Sequence, residues 1–450
     1  MTVLDPWRAP RRVGAEVAWY PLPMLSVLLS VAIATEPIAP VRTEVIRPIR
    51  NATFNKEGKA RKRKQGGNPR LREGVLLFDG AQDGNRQVDP QIAVGGGHVV
   101  HATNSGIVLY DKKGNYVDGV PQSEFNGGID PKLFFDVHNR VFGFDLWNPW
   151  DEAKLKPVNI SVSETDNPNG AWNTYPVPAP KGVDGGAIGY SRKWVGYSFP
   201  GGDQRTFVMR MSQLKAGQPA TAYHFSGSLG HPVLTQDRLD DLHFVQLTET
   251  DIVIRRVGEG PGGAPAVVSE VRAPHRWRSF KRPPASPMKG VTQTTASGDR
   301  NPKNLVIQNG SIWFSHTVDV DGRAAVQWHQ VRLDGTFVQS GLLAGPTRSF
   351  IQTTIAVNRR GDALVGFQET GADMFISARC AVRAANDKPG TLRETLNLAE
   401  GVAATEGGAW GDYSGSVVDG DNLLDLWTVQ SFANDRGRGG TVIARIPAPR

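Results

Sequence analysis

Four aspartates in this chain stand at one register of a phrase that keeps returning. They are Asp89 in VDPQIAV, Asp130 in IDPKLFF, Asp184 in VDGGAIGY and Asp412 in WGDYSGSV. Asn301, in RNPKNLV, holds the same place with the charge removed. Each precedes a short run of strand-forming residues. If the copies are arranged around a common axis, these positions gather into a ring at one end of it. A ring of carboxylates suits a hard cation such as Ca²⁺, which takes oxygen ligands, or the hydroxyls of a sugar. The alternative use is structural: each Asp accepts backbone N–H groups where its strand begins. Trp410 and Tyr413 flank Asp412 and complete the candidate set. A binding surface would also show exposed aromatics on a flat face, for which Trp147, Trp150 and Trp410 are the candidates.

Other chemistries lack their signatures. The nine His include no H-E-x-x-H and no Cys/His zinc spacing. Asp319-Val320-Asp321-Gly322 starts like a calcium loop, but Arg323 and two alanines follow where further ligands belong, so it reads as a hairpin turn. No G-x-S-x-G elbow or P-loop is present, and Gly95-Gly96-Gly97 precedes no helix pattern. The single cysteine, Cys380 in MFISARCAV, reads as a small buried hydrophobe. Ser163 to Trp172 (SETDNPNGAW) is a loosened Ser-x-Asp-x-Gly-x-x-Trp box. There the Asp would bond turn amides, the Gly would take a left-handed conformation and the Trp would plug the core.

The elements that must position the aspartates are strands. Runs such as VVHAT, IVLYD, SIWFSH, AVQWHQV and ALVGF alternate with turns such as Asn309-Gly310, Asp334-Gly335 and Asp321-Gly322, which supply the positive φ of tight hairpins. Helix patterns are confined to short pieces near 211–216 and 391–399. The phrase opens near 88, 129, 186, 231, 302, 351 and 410, about the chain that a four-stranded antiparallel blade needs. The expected fold is all-β, a single β-propeller over 74–450. The count of openings gives seven blades, or six if the Pro- and Arg-rich stretch RAPHRWRSFKRPPASPMK blurs one unit into the next. The strand GVLLFDG at 74–80 precedes the first unit and is expected to pair with the last, since an open ring would leave a bare sheet edge.

The openings, the stretch VNISVSETDNPNGAWNTYPVP, the run NLVIQNGSIWFSHTV and the closing WGDYSGSVVDG…LWTVQSF resemble exported bacterial β-propeller proteins with sialidase-like blades. The resemblance covers roughly 85–446. It implies the propeller fold and export, and no particular reaction. A retaining sialidase would want an arginine cluster, a Tyr nucleophile and an acid Asp. Tyr413, Asp412, Arg300 and Arg205 are residues of those types, but their spacing does not require such roles.

Charge is unevenly placed along the 450 residues. Residues 1–73 hold fourteen Lys and Arg against six Asp and Glu, which leaves the rest one unit negative within a total of +7. A neutral body argues against intracellular nucleic acid as a partner. MLSVLLSVAIA at 24–34 has the length of a signal-peptide core and ends in Ala-Ile-Ala, so 1–34 reads as a leader, with Met24 as an alternative start. Residues 35–73 read as a basic linker without a packed core, whose block at 56–72 suits an anionic surface. The expected protein is an exported monomer that binds a carbohydrate or a cell-surface protein. The alternative is a glycoside hydrolase with its site at the channel mouth.

Overall fold

The computed structural model describes residues 37–51, 66–72, 74–81, 87–150, 156–180, 183–199, 205–405 and 410–448, with short backbone pieces at 18–19 and 31–33. Strand accounts for 54% and helix for 3%. From residue 91 onward the chain forms successive antiparallel meanders, each adding its strands side by side. The first is Gln91–Gly95, His98–Thr103, Gly106–Asp111 and Tyr116–Val120. The second is Ile129–Asp136, Val141–Trp147, Val158–Ser163 and Trp172–Val177, and the third Ala187–Tyr190, Trp194–Ser198, Thr206–Arg210 and Ala220–Phe225. The fourth opens on His231–Pro232 and continues through Leu242–Leu247, Asp251–Glu259 and Pro265–Pro274.

The fifth meander is Leu305–Gln308, Ser311–Val320, Arg323–Arg332 and Phe337–Ala344. The sixth is Ser349–Val357, Ala363–Gly371, Met374–Arg383 and Leu396–Ala399. The last has three strands of its own, Gly415–Val418, Leu426–Ala433 and Gly439–Ile446. Its fourth is Val75–Asp79 from the start of the body, in register Leu77↔Ala444. The strand expected at 74–80 therefore pairs with the final unit.

Packing explains why the first strands carry little polar alternation. Gln91–Gly95, Ala187–Tyr190 and Ser349–Val357 are buried along their whole length, because neighbouring meanders cover both faces. The apolar clusters lie between successive meanders. Val195 and Tyr197 pack with Ile160 and Tyr175, and Leu242 and Phe244 with Trp194 and Val208. Phe78, Trp427 and Ile443 of the last meander pack with Ile92, Val99 and Tyr110 of the first. The sheets themselves remain separate apart from Leu234–Thr235, which bridges the first strands of the third and fifth meanders in parallel.

The hairpins follow the turn chemistry of the sequence. Asn309 and Gly310 have φ of 55° and 68°, and Asp321 and Gly322 have 50° and 77°, as a two-residue type I′ turn requires. Asp319 Oδ1 accepts the Gly322 amide at 2.9 Å, so that segment is a turn and not a cation loop. In the loosened box, Trp172 is fully buried and its Nε1–H donates to the Pro168 carbonyl at 2.9 Å. Asp166, however, takes Arg140 at 2.7 Å instead of turn amides, and Gly170 keeps a negative φ. Of the two helix candidates, 211–216 holds the one-turn helix Met211–Lys215, while 391–399 ends in the strand Leu396–Ala399. That segment is drawn into pairing because the Met374–Arg383 edge beside it needs backbone partners.

Three stretches of the segment expected to be an unstructured linker are strands. Arg42–Ile46 extends the third meander, Ile49–Asn51 the second and Gly67–Arg72 the last. Each covers an outer edge that would otherwise expose unpaired N–H and C=O groups. The leader core at 24–34, apart from backbone pairing at 31–33, and most of the basic block at 56–72 lie outside the described residues. Among the described residues no helix is long and apolar enough to cross a membrane.

Candidate functional site

The first strands stand side by side, and their N-terminal ends form one mouth of a narrow axis. A cavity of about 20 Å³ runs there between Gln91, Lys132, Ile188, Leu234, Lys303 and Ser416, which come from different meanders. The aspartates sit above it, but they do different things.

Asp89 is almost fully buried and fully bonded. Its Oδ1 accepts the Asp412 amide at 2.5 Å and its Oδ2 accepts Asn104 Nδ2 at 2.6 Å. Burial pushes its carboxyl up; the bond from the Asp412 amide pulls it back, and the Asp412 charge adds to the push. Asp89 thus ties the last meander to the first, as a structural aspartate would. Asp130 adopts the same left-handed conformation, φ 58° against 46°, in the same place before a proline. Its amide donates to Asn104 Oδ1 at 2.9 Å, yet its half-buried carboxylate makes no hydrogen bond among the described residues. A side chain at Gly185 would collide with it, so the third meander must present glycine there. Burial pushes the Asp130 carboxyl up to about 7. Lys132 opposes that shift, while the charges of Asp89, Asp184 and Asp412 reinforce it.

Asp184 and Asp412 are exposed at the rim. Asp184 accepts only the amide of Gly185, at 2.9 Å. Asn301 is half-buried and its amide donates to Asp299 Oδ1 at 3.1 Å. Trp410 is core, not surface, packed with Met288, Ile351 and Ile376, and so is corrected as a ligand contact. The neighbouring apolar chains hold it in, and its indole has no route to solvent. Trp147 is half-buried, while Trp150 is exposed.

Tyr413 is buried too, with the Lys132 ammonium 3.0 Å from its ring centroid. Burial, together with the charges of Asp130, Asp89, Asp145 and Asp412, holds its phenol well above the ordinary value. Its hydroxyl is buried and meets no hydrogen-bond partner among the described residues, so the base that a Tyr nucleophile requires does not stand against it. Arg300 stacks on Phe280 at 4.4 Å, and Arg205 lies near His224 in an outer strand, so neither joins the mouth.

The residues that sequence reasoning missed are beneath the aspartates. Lys132 faces Asp145 directly across the pair Ile129–Asp136 and Val141–Trp147. Both are buried, and among the described residues neither Asp145 oxygen has a hydrogen-bond partner of good geometry, although the nearby Tyr197 hydroxyl favours its charged form. Burial brings the Lys132 ammonium down to about 8, against the pull of Asp145 and Asp130 and with the push of Lys303. Burial likewise lifts the Asp145 carboxyl to about 8; the Lys132 charge opposes this and the Asp130 charge adds to it. Lys303, two residues beyond Asn301, pairs with Asp299 at 3.5 Å. Half-buried His231 opens the fourth meander; burial and the nearby Lys303 charge lower it to about 4. The tripeptides Asp-Pro-Lys at 130–132 and Asn-Pro-Lys at 301–303 were the available signal.

The arrangement offers free carboxylate acceptors at the rim, one half-buried carboxyl poised near neutrality and a lysine below. Among the described residues no group of three or more His, Cys, Asp or Glu side chains is arranged to hold a metal ion.

No family model and no curated protein matches this chain. Solved structures that resemble it are β-propeller proteins at low identity. The WD40 domain of SCAP from fission yeast is 10% identical, with 80% of this chain and 95% of that one covered at a TM-score of 0.35. A putative TolB from Agrobacterium tumefaciens is 9% identical, covering 90% of this chain and 100% of its own at 0.34. An engineered GH43 glycoside hydrolase is 12% identical, covering 71% and 57% at 0.32.

Proposed function

We propose that this chain is an exported, monomeric β-propeller of seven blades that binds the end of a glycan at the mouth formed by Asp130, Asp184 and Asp412. Support for the ring is the succession of seven meanders whose last packs on the first. Support for the ligand is one observation above the others: the Asp130 and Asp412 carboxylates reach solvent and, among the described residues, accept no hydrogen bond. Free, partly desolvated acceptors held by rigid strands are what sugar hydroxyls require, and hydrogen bonds to charged groups are worth about 1.5–3 kcal/mol each. The basic block at 56–72 adds attraction to an anionic surface.

The test is a glycan array probed with the whole chain and with Asp412→Asn and Asp130→Asn. The expected result is binding that falls roughly tenfold or more in each variant. Full binding by the double variant would overturn the assignment. A second reading, glycoside hydrolysis, is favoured by the half-buried Asp130 carboxyl, pushed up to about 7, standing beside exposed Asp184 and Asp412, since a general acid and a second carboxyl group are what that reaction needs. Turnover of any aryl glycoside, abolished in both variants, would establish it over simple binding.

A further inference from the structure

The other end of the axis has different chemistry. Hairpin turns that follow the first strands of the second, third, fourth and seventh meanders enclose a cavity of about 550 Å³. That is within the range of small-molecule sites. Arg140, Arg192, Lys193 and Arg238 line it, from three different turns.

The two carboxylates of the lining serve to hold these cations. Asp421 accepts the Gly96 and Gly97 amides at 2.9 and 3.0 Å, the Lys112 ammonium, and Arg140 Nη2 at 2.8 Å. Partial burial opposes its ionisation, but the Lys112, Gly97 and Arg140 bonds hold its carboxyl well below the usual carboxylate range. Asp166 fixes Arg140 from the other side at 2.7 Å. Asp240 stands 3.3 Å from both Arg192 Nη1 and Lys193 Nζ. Arg238 is exposed and makes no hydrogen bond or ion pair among the described residues. Gln236, also in the lining, has its Oε1 buried without a hydrogen-bond partner. A planar guanidinium without a partner asks for a carboxylate or a phosphate, which it meets with two parallel bonds. A buried carbonyl oxygen without a donor asks for a hydroxyl.

We propose that this second mouth is a binding site for a small hydroxylated acid, a sugar carrying a carboxylate or a phosphate ester. Its oxyanion meets Arg238 and Arg192, and one of its hydroxyls donates to Gln236. The site is independent of the aspartate mouth and stands or falls without it.

Titration calorimetry of the whole chain against glucuronate, glucose 6-phosphate, glucose and inorganic phosphate tests this. At least one of the two sugar acids should bind roughly tenfold or more tightly than glucose, weakening as salt rises. Binding of glucuronate alone assigns a carboxylate, and of glucose 6-phosphate alone a phosphate ester; either supports the site. Arg238→Ala and Arg192→Ala, at exposed positions that leave the core intact, should each reduce that affinity roughly tenfold. Equal affinity for glucose and both acids overturns the proposal, as does binding unchanged in both variants. Inorganic phosphate binding as tightly as the better sugar acid would remove the role given to Gln236 and with it the hydroxylated ligand.

Discussion

Replacing Asp145 by Asn should remove one falling component of the pH dependence of stability. The carboxyl titrates near 3.8 when exposed and near 8 in the fold. Between those values the folded protein keeps a proton that the unfolded chain releases, so stability falls as pH rises, by about 1.4 kcal/mol per unit. From pH 5 to pH 8 the loss is about 4 kcal/mol. Lys132, brought down to about 8, stays protonated in both states up to about pH 7 and begins to offset the fall only between pH 7 and 8. Above pH 8 it acts in the opposite sense, because the unfolded chain then holds the extra proton and stability recovers. Asp130 adds a shallower fall of the same sign as Asp145. An asparagine is close in volume and uncharged at every pH, so the variant loses the Asp145 part while keeping the Asp130 fall and the opposing rise from buried histidines such as His231, His243 and His316, which the fold lowers to about 4. Urea unfolding followed by tryptophan fluorescence at pH 5, 6, 7 and 8 measures the difference. Wild type should lose about 4 kcal/mol more than Asp145→Asn across the series. Parallel curves for the two proteins would refute the buried, proton-holding Asp145.

Lys132→Met removes the cation that stands across the strands from Asp145 and is pulled by Asp130 and Asp89, and should destabilise by about 3–5 kcal/mol at pH 7. The same unfolding assay at pH 5, where the raised Asp130 and Asp145 carboxyls hold their protons, should show a much smaller loss. Leu77→Pro breaks the strand that completes the last meander and deletes a buried side chain, costing about 3 kcal/mol or more and lowering the thermal midpoint. Aggregation through the freed Gly439–Ile446 edge should accompany it in light scattering. Cys380 is buried and its thiol is pushed up to about 12. Maleimide should leave it unmodified in the native protein and label it fully in guanidinium.

The equivalence of Asp89, Asp130, Asp184 and Asp412 was legible because strand openings repeat their spelling. What each carboxylate does was not, since that depends on contacts between units hundreds of residues apart, such as Asp89 with the Asp412 amide. Gln352 takes the same left-handed conformation as Asp89 and Asp130, and donates to the Gly411 carbonyl, but its opening reads Gln-Thr-Thr and hides the kinship. Lys132 was passed over because a lysine in a strand usually faces water, and only the register with Asp145 turns it inward. The outer strands at 42–46, 49–51 and 67–72 carry weak patterns for a physical reason. They cap edges that face solvent, so exposed Val45 and Leu71 alternate with charge and not with core.

The pair Asp89 and Asp130 shows two uses of aspartate within one motif, one bonded into the fold and one left without a hydrogen bond among the described residues. A residue before proline is pushed toward extended conformations, and a left-handed one stores of order 1–3 kcal/mol unless its surroundings over-determine it. Asn104 supplies that constraint for both, donating to the Asp89 carboxylate and accepting the Asp130 amide. At position 89 the carboxylate is itself part of the constraint, because the Asp412 amide and Asn104 use both of its oxygens. At position 130 the constraint acts on the backbone alone, and an asparagine or a glycine would satisfy it equally. Packing does not call for a charge there either. Burial and three neighbouring carboxylates all disfavour it, and Lys132 only partly offsets them. Its one gain within the fold is the pull on Lys132, and the proposed ligand at the mouth would supply the rest of its account.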